Sequence, residues 1–544
     1  MANKIKKQKQ QKKSAGLVIS GQIMEYVLTA VLFLLCSVVP LYTRDGYYQI
    51  GDAKFQVYKY IMLGGFIILF AVLIMYAVFA AKDPVVHTAL QDRKNKGLSG
   101  ILSVTDWFVI AYMAAVVLSV FSGGFYREAL WGYDGWYMGL MSQISFVLLY
   151  FFVSRFGRYW KAVLCVLCSV SVIVFIYGIL NRLLIDPLGY YEGLSDWYKS
   201  QFLSTLGQAS WYASFLVVVL PVGIAVFLYT TKRYLFWISG AFVFTGFCTL
   251  VTQNSDSAYF AMAGFILVFF WLATEEKERF IRFLWILTMF FGAGKVMYLL
   301  LQKHPNTIYY YDFVTNFVLN EKAGWFILGA LLVVCILLTV LRDKWNYPVR
   351  VMKVLRVIVF VLFGVALLAS VCLIVLKAKG MLPESLSEKL SMITYMNWEG
   401  RWGNGRGATW TFTVEMFAEE SFLHKLFGVG PDCYNAYASG LYQEKLTEMW
   451  GDSALTNAHN EWMNMVINCG LVGAACYIGI FVFGAKRFLK ERGQDFMLIT
   501  FSACIVSYMA YNFFCYQQVL CTPFIFMMIG MGEYIVRTGK AAGE

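Results

Sequence analysis

The sequence predicts an all-α, polytopic integral membrane protein of about 12–14 transmembrane helices with one large outer loop. Three observations carry that reading. Hydrophobic residues make up 59% of the 544 positions and charged residues only 14%, too little charge to cover a soluble protein of this size; mean hydropathy is +0.61. Apolar runs near the ~20 residues needed to cross a bilayer recur along the chain. Lys and Arg collect in alternate connections, as they do on the cytoplasmic side of membrane proteins.

The elements follow in order. Residues 1–21 hold the basic start MANKIKKQKQQKKS. Its charges suit a retention signal on anionic inner-leaflet lipid, and a nucleic-acid tail is the other reading; with the first reading, no nucleic-acid partner is expected. No small-residue cleavage site follows the first apolar run, 22–42, so that run reads as a retained helix. Ten more runs complete a membrane domain over 22–376: 57–80, 102–121, 138–154, 162–181, 211–230, 235–251, 257–273, 281–301, 323–341 and 354–376. A loop over 377–457 comes next. Runs 463–484, 496–513 and 519–536 then fill 458–537, and residues 538–544 form a tail.

With the N-terminus inside, every inner connection is basic: Lys82 to Lys96, Arg155 to Lys161, Lys232 and Arg233, Lys277 to Arg282, Arg342 to Arg356, Lys486 to Arg492, then Arg537 and Lys540. The net charge of +12 is therefore a topology signal. It implies a multi-pass protein of the cell membrane with both termini cytoplasmic. The twelve cysteines lie mostly in helices and read as small core residues; Cys165-x-x-Cys168 has no ligand histidine nearby.

The layout is lopsided, eleven helices then the loop then three. No internal repeat and no matched pair of broken helices, the mark of many transporters, is visible. A long loop on one face points to a functional element. Within it, Pro383 to Ile393 and Arg406 to Glu420 have helical periodicity, the second expected to lie along the membrane surface, and Gly428-x-Gly430-Pro431 reads as a tight turn.

The densest polar stretch is TNAHNEWMNMVINCGLVG, where the loop re-enters the membrane. Asn460, Asn464 and Asn468 are spaced to stack on one helix face, with Thr456 or Asn457 as the expected N-cap. A seam gluing helices together is the plain reading of the asparagines. His459, one of four histidines, stands beside Glu461 at the boundary, where an imidazole can serve as a general base. In EGRWGNGRGATW, Arg401 and Arg406 sit among glycines and tryptophans. Arginine forks suit diphosphate, whereas snorkelling beside Trp402 and Trp410 is the alternative. Arg406 also opens a helix, where backbone N–H groups face an anion. Three more polar stretches precede or join spans: Phe121 to Leu140 with Arg127 and Asp134, Ser204 to Leu228, and Thr249 to Gly264.

Together these stretches resemble the O-antigen ligase and polymerase superfamily, which includes O-antigen ligases, O-antigen and capsule polymerases and teichuronic acid biosynthesis membrane proteins. GRGATWTFTVEMFAEESFLHKLFGVGPDCY and NAHNEWMNMVINCGLVG look like its Gly-Arg-x-x-x-Trp, Gly-x-Gly and His-Asn-Glu elements. STLGQASWYASFL is similar to a segment that is often Gly-Asn-x-Asn, with Gln208 and Ser210 in place of the asparagines. One departure stands out. Relatives often carry Ser-Arg where this chain has Ser255-Asp256-Ser257, which leaves Arg127 and Arg182 as candidate replacement cations.

The resemblance implies a GT-C-like, metal-independent, inverting glycosyltransferase without a cofactor. Its donor would be a glycan on undecaprenyl diphosphate and its acceptor a glycan, lipid or protein. His459 would be the base and Arg406 would stabilise the leaving group, with Arg401, Asn460, Glu461, Arg127, Arg182 and Gln208 binding substrate. Neither an outer Asp-x-Asp nor a Gly-x-x-x-x-Gly-Lys motif occurs in the sequence. A lipid-linked glycan flippase or polysaccharide exporter is the alternative; it should place charged residues deep in the membrane, and only Lys295, Glu25 and Asp106 come near that.

Overall fold

The computed structural model describes residues 13–95, 101–304, 313–451 and 454–543; the basic residues Lys4 to Lys12 and Lys96 lie outside them. Each of the fourteen apolar runs falls on a helix: Ala15–Leu41, Ile50–Ala81, Val104–Gly123, Leu140–Phe156, Trp160–Arg182, Ala209–Tyr229, Arg233–Leu250, Ser257–Ala273, Lys277–Gln302, Lys322–Val340, Val349–Ala378, Glu461–Lys490, Met497–Tyr511 and Thr522–Gly543. Among the described residues, ten of these are long and apolar enough to cross a membrane. Leu140–Phe156, Ser257–Ala273 and Met497–Tyr511 are apolar but shorter, and Thr522–Gly543 carries Glu533 and Arg537. The chain is an all-α polytopic membrane protein. Its one ladder among the described residues pairs Phe202–Leu203 antiparallel with Gly207–Gln208.

Ala209–Tyr229 runs through the middle of the bundle, buried on nearly every side, and Pro221 lies within it. A helix apolar all round belongs in such a position. Lys322–Val340 and Val349–Ala378 are the reverse, apolar helices with almost no buried side chains, which places them on the rim against lipid. The basic connections gather at one end of the bundle. There Arg155 pairs with Asp106 at 2.8 Å, Arg537 bonds the same carboxylate, and Arg487 pairs with Glu533 at 2.8 Å.

One sequence expectation changes here. Helix Ile50–Ala81 starts a full two turns before the expected 57, which draws Lys54 into the bundle. It is fully buried, and its Nζ donates to the carbonyls of Val39 and Pro40, both at 2.9 Å. Ionisable side chains deep among the helices are thus not confined to the residues named above. The loop helix, Trp402–Glu419, has a packed apolar face. It turns Phe412 and Met416 into a small core with Tyr434, Tyr437, Leu446, Leu455, Ala458 and Ile467. The loop is a folded cap because its apolar side chains find one another.

Candidate functional site

The site begins where helix Glu461–Lys490 enters the bundle. Asn460 is extended, at φ −152° and ψ 110°, and its side-chain oxygen accepts from Trp462 N–H at 3.0 Å and Met463 N–H at 3.1 Å. Asn460 is therefore the N-cap, in place of Thr456 or Asn457, because only from there can a short side chain reach the first free N–H groups. It drops out of the expected asparagine stripe. Glu461, Asn464 and Asn468 make the buried polar face instead.

Further along, the helix breaks. Gly470 has φ 70° and ψ 178°, a conformation open essentially to glycine alone. The carbonyls before a break lose their N–H partners four residues ahead. Two of them find new ones: Val429 N–H donates to Ile467 at 3.1 Å and Gly430 N–H to Asn468 at 2.9 Å. The Gly428-x-Gly430 turn is thus a strap paired along the broken helix. A Cβ on Gly428 would sit 2.4 Å from the carbonyl carbon of Asn468, and one on Gly470 would sit 2.2 Å from the Leu426 oxygen.

The strap leads into Asp432, held at φ 61°. Its Oδ2 accepts from Tyr133 N–H at 2.8 Å and Met138 N–H at 2.9 Å, tying the loop to the connection before Leu140. Burial pushes the Asp432 carboxyl up to about 7, against the pull of those two N–H groups.

The opposite wall is the non-helical segment 512–521 between the last two helices. Successive residues are gripped by different elements. Asn512 O accepts from Glu461 N–H at 2.9 Å. Phe514 O accepts from Arg406 Nε at 3.0 Å and Nη2 at 2.9 Å. The Tyr516 ring meets His459 edge-on, with centroids 5.4 Å apart. Gln517 N–H donates to Glu461 Oε2 at 2.8 Å, and its side chain joins Gln143 and Tyr477, each at 2.7 Å. Between the two walls lies a small, narrow cleft lined by Tyr112, Trp136, Asp432, Glu461, Asn464 and Asn468 among others.

His459 is left-handed, φ 48°, held by its N–H donating to Asn457 Oδ1 at 2.8 Å. Burial first and the charge of Arg406 second bring its pKa down to about 4, so the imidazole is a neutral base at pH 7. Arg406 follows three left-handed residues, Gly403, Asn404 and Gly405, and opens the regular part of its helix. Nη1 also donates to Gly403 O at 2.6 Å, and the guanidinium makes a further hydrogen bond to the Cys515 sulfur.

The structure brings His459, Arg406, Asn460 and Glu461 together around residues 512–517. Arg401 lies exposed at the start of the same left-handed turn. The other three stand elsewhere. Arg127 is exposed on the short helix Tyr126–Trp131. Arg182 is fully buried, donating to Thr252 O at 2.6 Å, Ser200 O at 2.9 Å and Gln253 O at 3.1 Å, so it clamps two connections to each other. Gln208 stands at the N-cap of the central helix. The Ser255–Asp256–Ser257 turn reaches the site from the side, with Ser257 Oγ 3.6 Å from Cys515 Sγ. All twelve cysteines are free thiols.

Sequence reasoning passed over Asp432, Gln143, Tyr516 and Gln517. Asp432 was hidden in a turn, and Gln517 and Gln518 stand between two apolar runs, where polar amides carry a signal of their own.

Fold and cleft define a multi-pass membrane protein with a buried polar site between a folded loop and a broken helix. Residues 311–478 match the O-antigen ligase family, which bears out the resemblance drawn from the motifs. That segment contains Arg401, Arg406, Asp432, His459, Glu461 and the break at Gly470. A membrane glycan ligase or polymerase family, transferring glycosyl groups from a lipid-linked donor, is the class it indicates. No curated protein matches the chain.

Proposed function

We propose that this protein transfers or polymerises a glycan carried on undecaprenyl diphosphate, on the outer face of the cell membrane, for cell-surface polysaccharide synthesis. The observation that carries the reading is the meeting of His459 and Arg406 at one non-helical wall, where the half-buried imidazole packs on Tyr516 and the guanidinium grips Phe514 O two residues away.

Arg406 binds the donor's diphosphate. Once that anion cancels the arginine's charge, one of the two causes depressing the His459 pKa is lifted, and the imidazole becomes a stronger base with the substrate in place. His459 takes the proton from an acceptor hydroxyl. The oxygen attacks the anomeric carbon on the face opposite the diphosphate, the bond from that carbon to the diphosphate oxygen breaks with its electron pair, and the configuration inverts. Arg406 stabilises the departing charge. Lipid diphosphate is already an activated leaving group, so neither metal nor cofactor enters the scheme. Asn460 and Glu461 act by holding the start of the helix, and Arg401 by drawing the anion in from solvent. The basic connections at the end of the bundle away from the loop support an outer position for the site.

The test is purified protein in lipid nanodiscs supplied with an oligosaccharide on undecaprenyl diphosphate and its acceptor. Wild type should form product and His459→Ala none, with both present at equal levels. Equal turnover in the two would end the reading.

A further inference from the structure

The rim helix Val349–Ala378 stands away from the bundle over most of its length. It buries only Met352, and the consecutive residues Val361, Leu362 and Phe363 are 56%, 61% and 38% exposed. Successive helical residues point 100° apart, so the face turned to the bundle is uncovered as well. The helix is tied to its neighbours near its ends. At one, Lys377 donates to Ser391 Oγ at 2.8 Å. At the other, the Phe360 ring meets Trp271 of helix Ser257–Ala273 edge-on at 5.1 Å, and the Arg356 guanidinium lies 4.4 Å over the same indole. In a bilayer, the apolar crevice between those ties takes acyl chains.

Arg356 marks the basic end of that crevice. There three guanidiniums surround Glu275: Arg492 Nη2 at 3.1 Å, Arg279 Nη1 at 3.7 Å and Arg356 Nη1 at 3.8 Å. Only the first is within hydrogen-bonding distance. Arg279 is engaged elsewhere, with Glu276 at 2.7 Å and the Tyr229 hydroxyl at 3.2 Å. Arg356 is not, for its buried Nε has no partner among the described residues, and a buried donor left unmade is costly. Arg356 and Arg492 approach the same oxygen, Glu275 Oε1, so their nitrogens lie at most 6.9 Å apart, the two distances end to end. Three arginines against Glu275 and Glu276 leave positive charge over. Arg350 and Lys353, exposed and three residues apart on the turns before Arg356, add to it.

A cation is the wrong occupant of such a place. Two guanidiniums this close, at the foot of an apolar crevice, fit a phosphate joined to acyl chains. Basic pockets between membrane helices take anionic headgroups, and an indole suits the level where headgroup meets chain.

We propose that the crevice behind Val349–Ala378 is a site for an anionic phospholipid. Its phosphate accepts from Arg356 and Arg492, and its acyl chains fill the gap between that helix and Ser257–Ala273. The site lies where the basic connections gather, apart from His459 and Arg406, and stands independently of the glycan reading.

Full-length protein released in detergent is titrated with palmitoyl-oleoyl phosphatidylglycerol and with phosphatidylcholine of the same chains, and bound lipid is counted by native mass spectrometry. Phosphatidylglycerol should bind the more tightly. Arg356→Gln should lose about fivefold of that affinity, the worth of one cation facing an anionic headgroup. Arg158→Gln, at the same end and paired with Glu25 at 3.4 Å, should keep it. An unchanged melting temperature without added lipid certifies the fold of Arg356→Gln; if it falls, the exposed pair Arg350→Gln and Lys353→Gln supplies the same measurement. Equal affinity for the two lipids overturns the proposal. Equal weakening in Arg158→Gln also overturns it, because the preference would then belong to surface charge in general. Inorganic phosphate should raise the melting temperature far less than phosphatidylglycerol does. Equal stabilisation by the two would mean a site for free phosphate and would sink the lipid.

Discussion

Arg406 grips the carbonyl oxygen of Phe514 with two donors at once, Nε at 3.0 Å and Nη2 at 2.9 Å. A loop helix is thereby pinned to the segment that also carries Tyr516 and Gln517. The planar fork lets one side chain hold this carbonyl and still present a donor elsewhere. Lysine cannot do both. Arg406→Lys should keep a small residue of turnover and Arg406→Ala almost none, with lipid-linked donor accumulating in each. Asp256→Asn should be much milder, since an acid does not attract diphosphate. Near-normal turnover in Arg406→Ala with loss in Asp256→Asn would move the diphosphate site to the other turn.

The low pKa of His459 has a readable consequence. A base must be unprotonated, so activity falls as pH drops through its pKa. Because the free enzyme's imidazole is pulled down to about 4, kcat/KM should stay level through about pH 6 and decline only towards about pH 4–5. The limb in kcat should lie higher, because bound diphosphate offsets Arg406. Coincident limbs at the ordinary histidine value near ~6.5 would contradict the coupling.

Gly470 and Gly440 make a matched pair. Alanine at Gly470 meets the Leu426 oxygen at 2.2 Å and an unfavourable backbone region, a strain of roughly 1–3 kcal/mol before the clash. It should lower the melting temperature and abolish activity by displacing the Gly428–Gly430 strap. At Gly440, inside a helix with open space around its Cβ position, alanine should be neutral or slightly stabilising. Equal melting curves for the two variants would show that the break is dispensable.

Glu420 is buried at the end of Trp402–Glu419, both carboxylate oxygens without a hydrogen-bond partner among the described residues. Burial pushes its pKa from 4.5 up to about 8, with Lys425 opposing. Between those values the folded state holds a proton that the unfolded chain releases, so stability falls as pH rises through that window. Glu420→Gln should be near neutral at about pH 5 and stabilise by roughly 1–3 kcal/mol at about pH 8. No gain at about pH 8 would mean that the side chain reaches solvent.

Composition, run length and the placement of Lys and Arg determined the membrane class, the fourteen helices and the reading of sidedness, because the bilayer imposes one rule on every spanning segment. Local spacing also brought out His459, Arg406 and Glu461, since a polar group at a membrane boundary stands out against its neighbours. What only the tertiary structure decided was partnership. Asn460 became a cap because its backbone turns extended there, and Arg182 a clamp because two connections present carbonyls to it. Asp432 and Gln517, 85 residues apart in the chain, came to line one cavity through the break at Gly470 and the non-helical crossing at 512–521. A broken helix exposes carbonyls whose new partners lie far away in sequence, and no local pattern records which N–H groups will fill them.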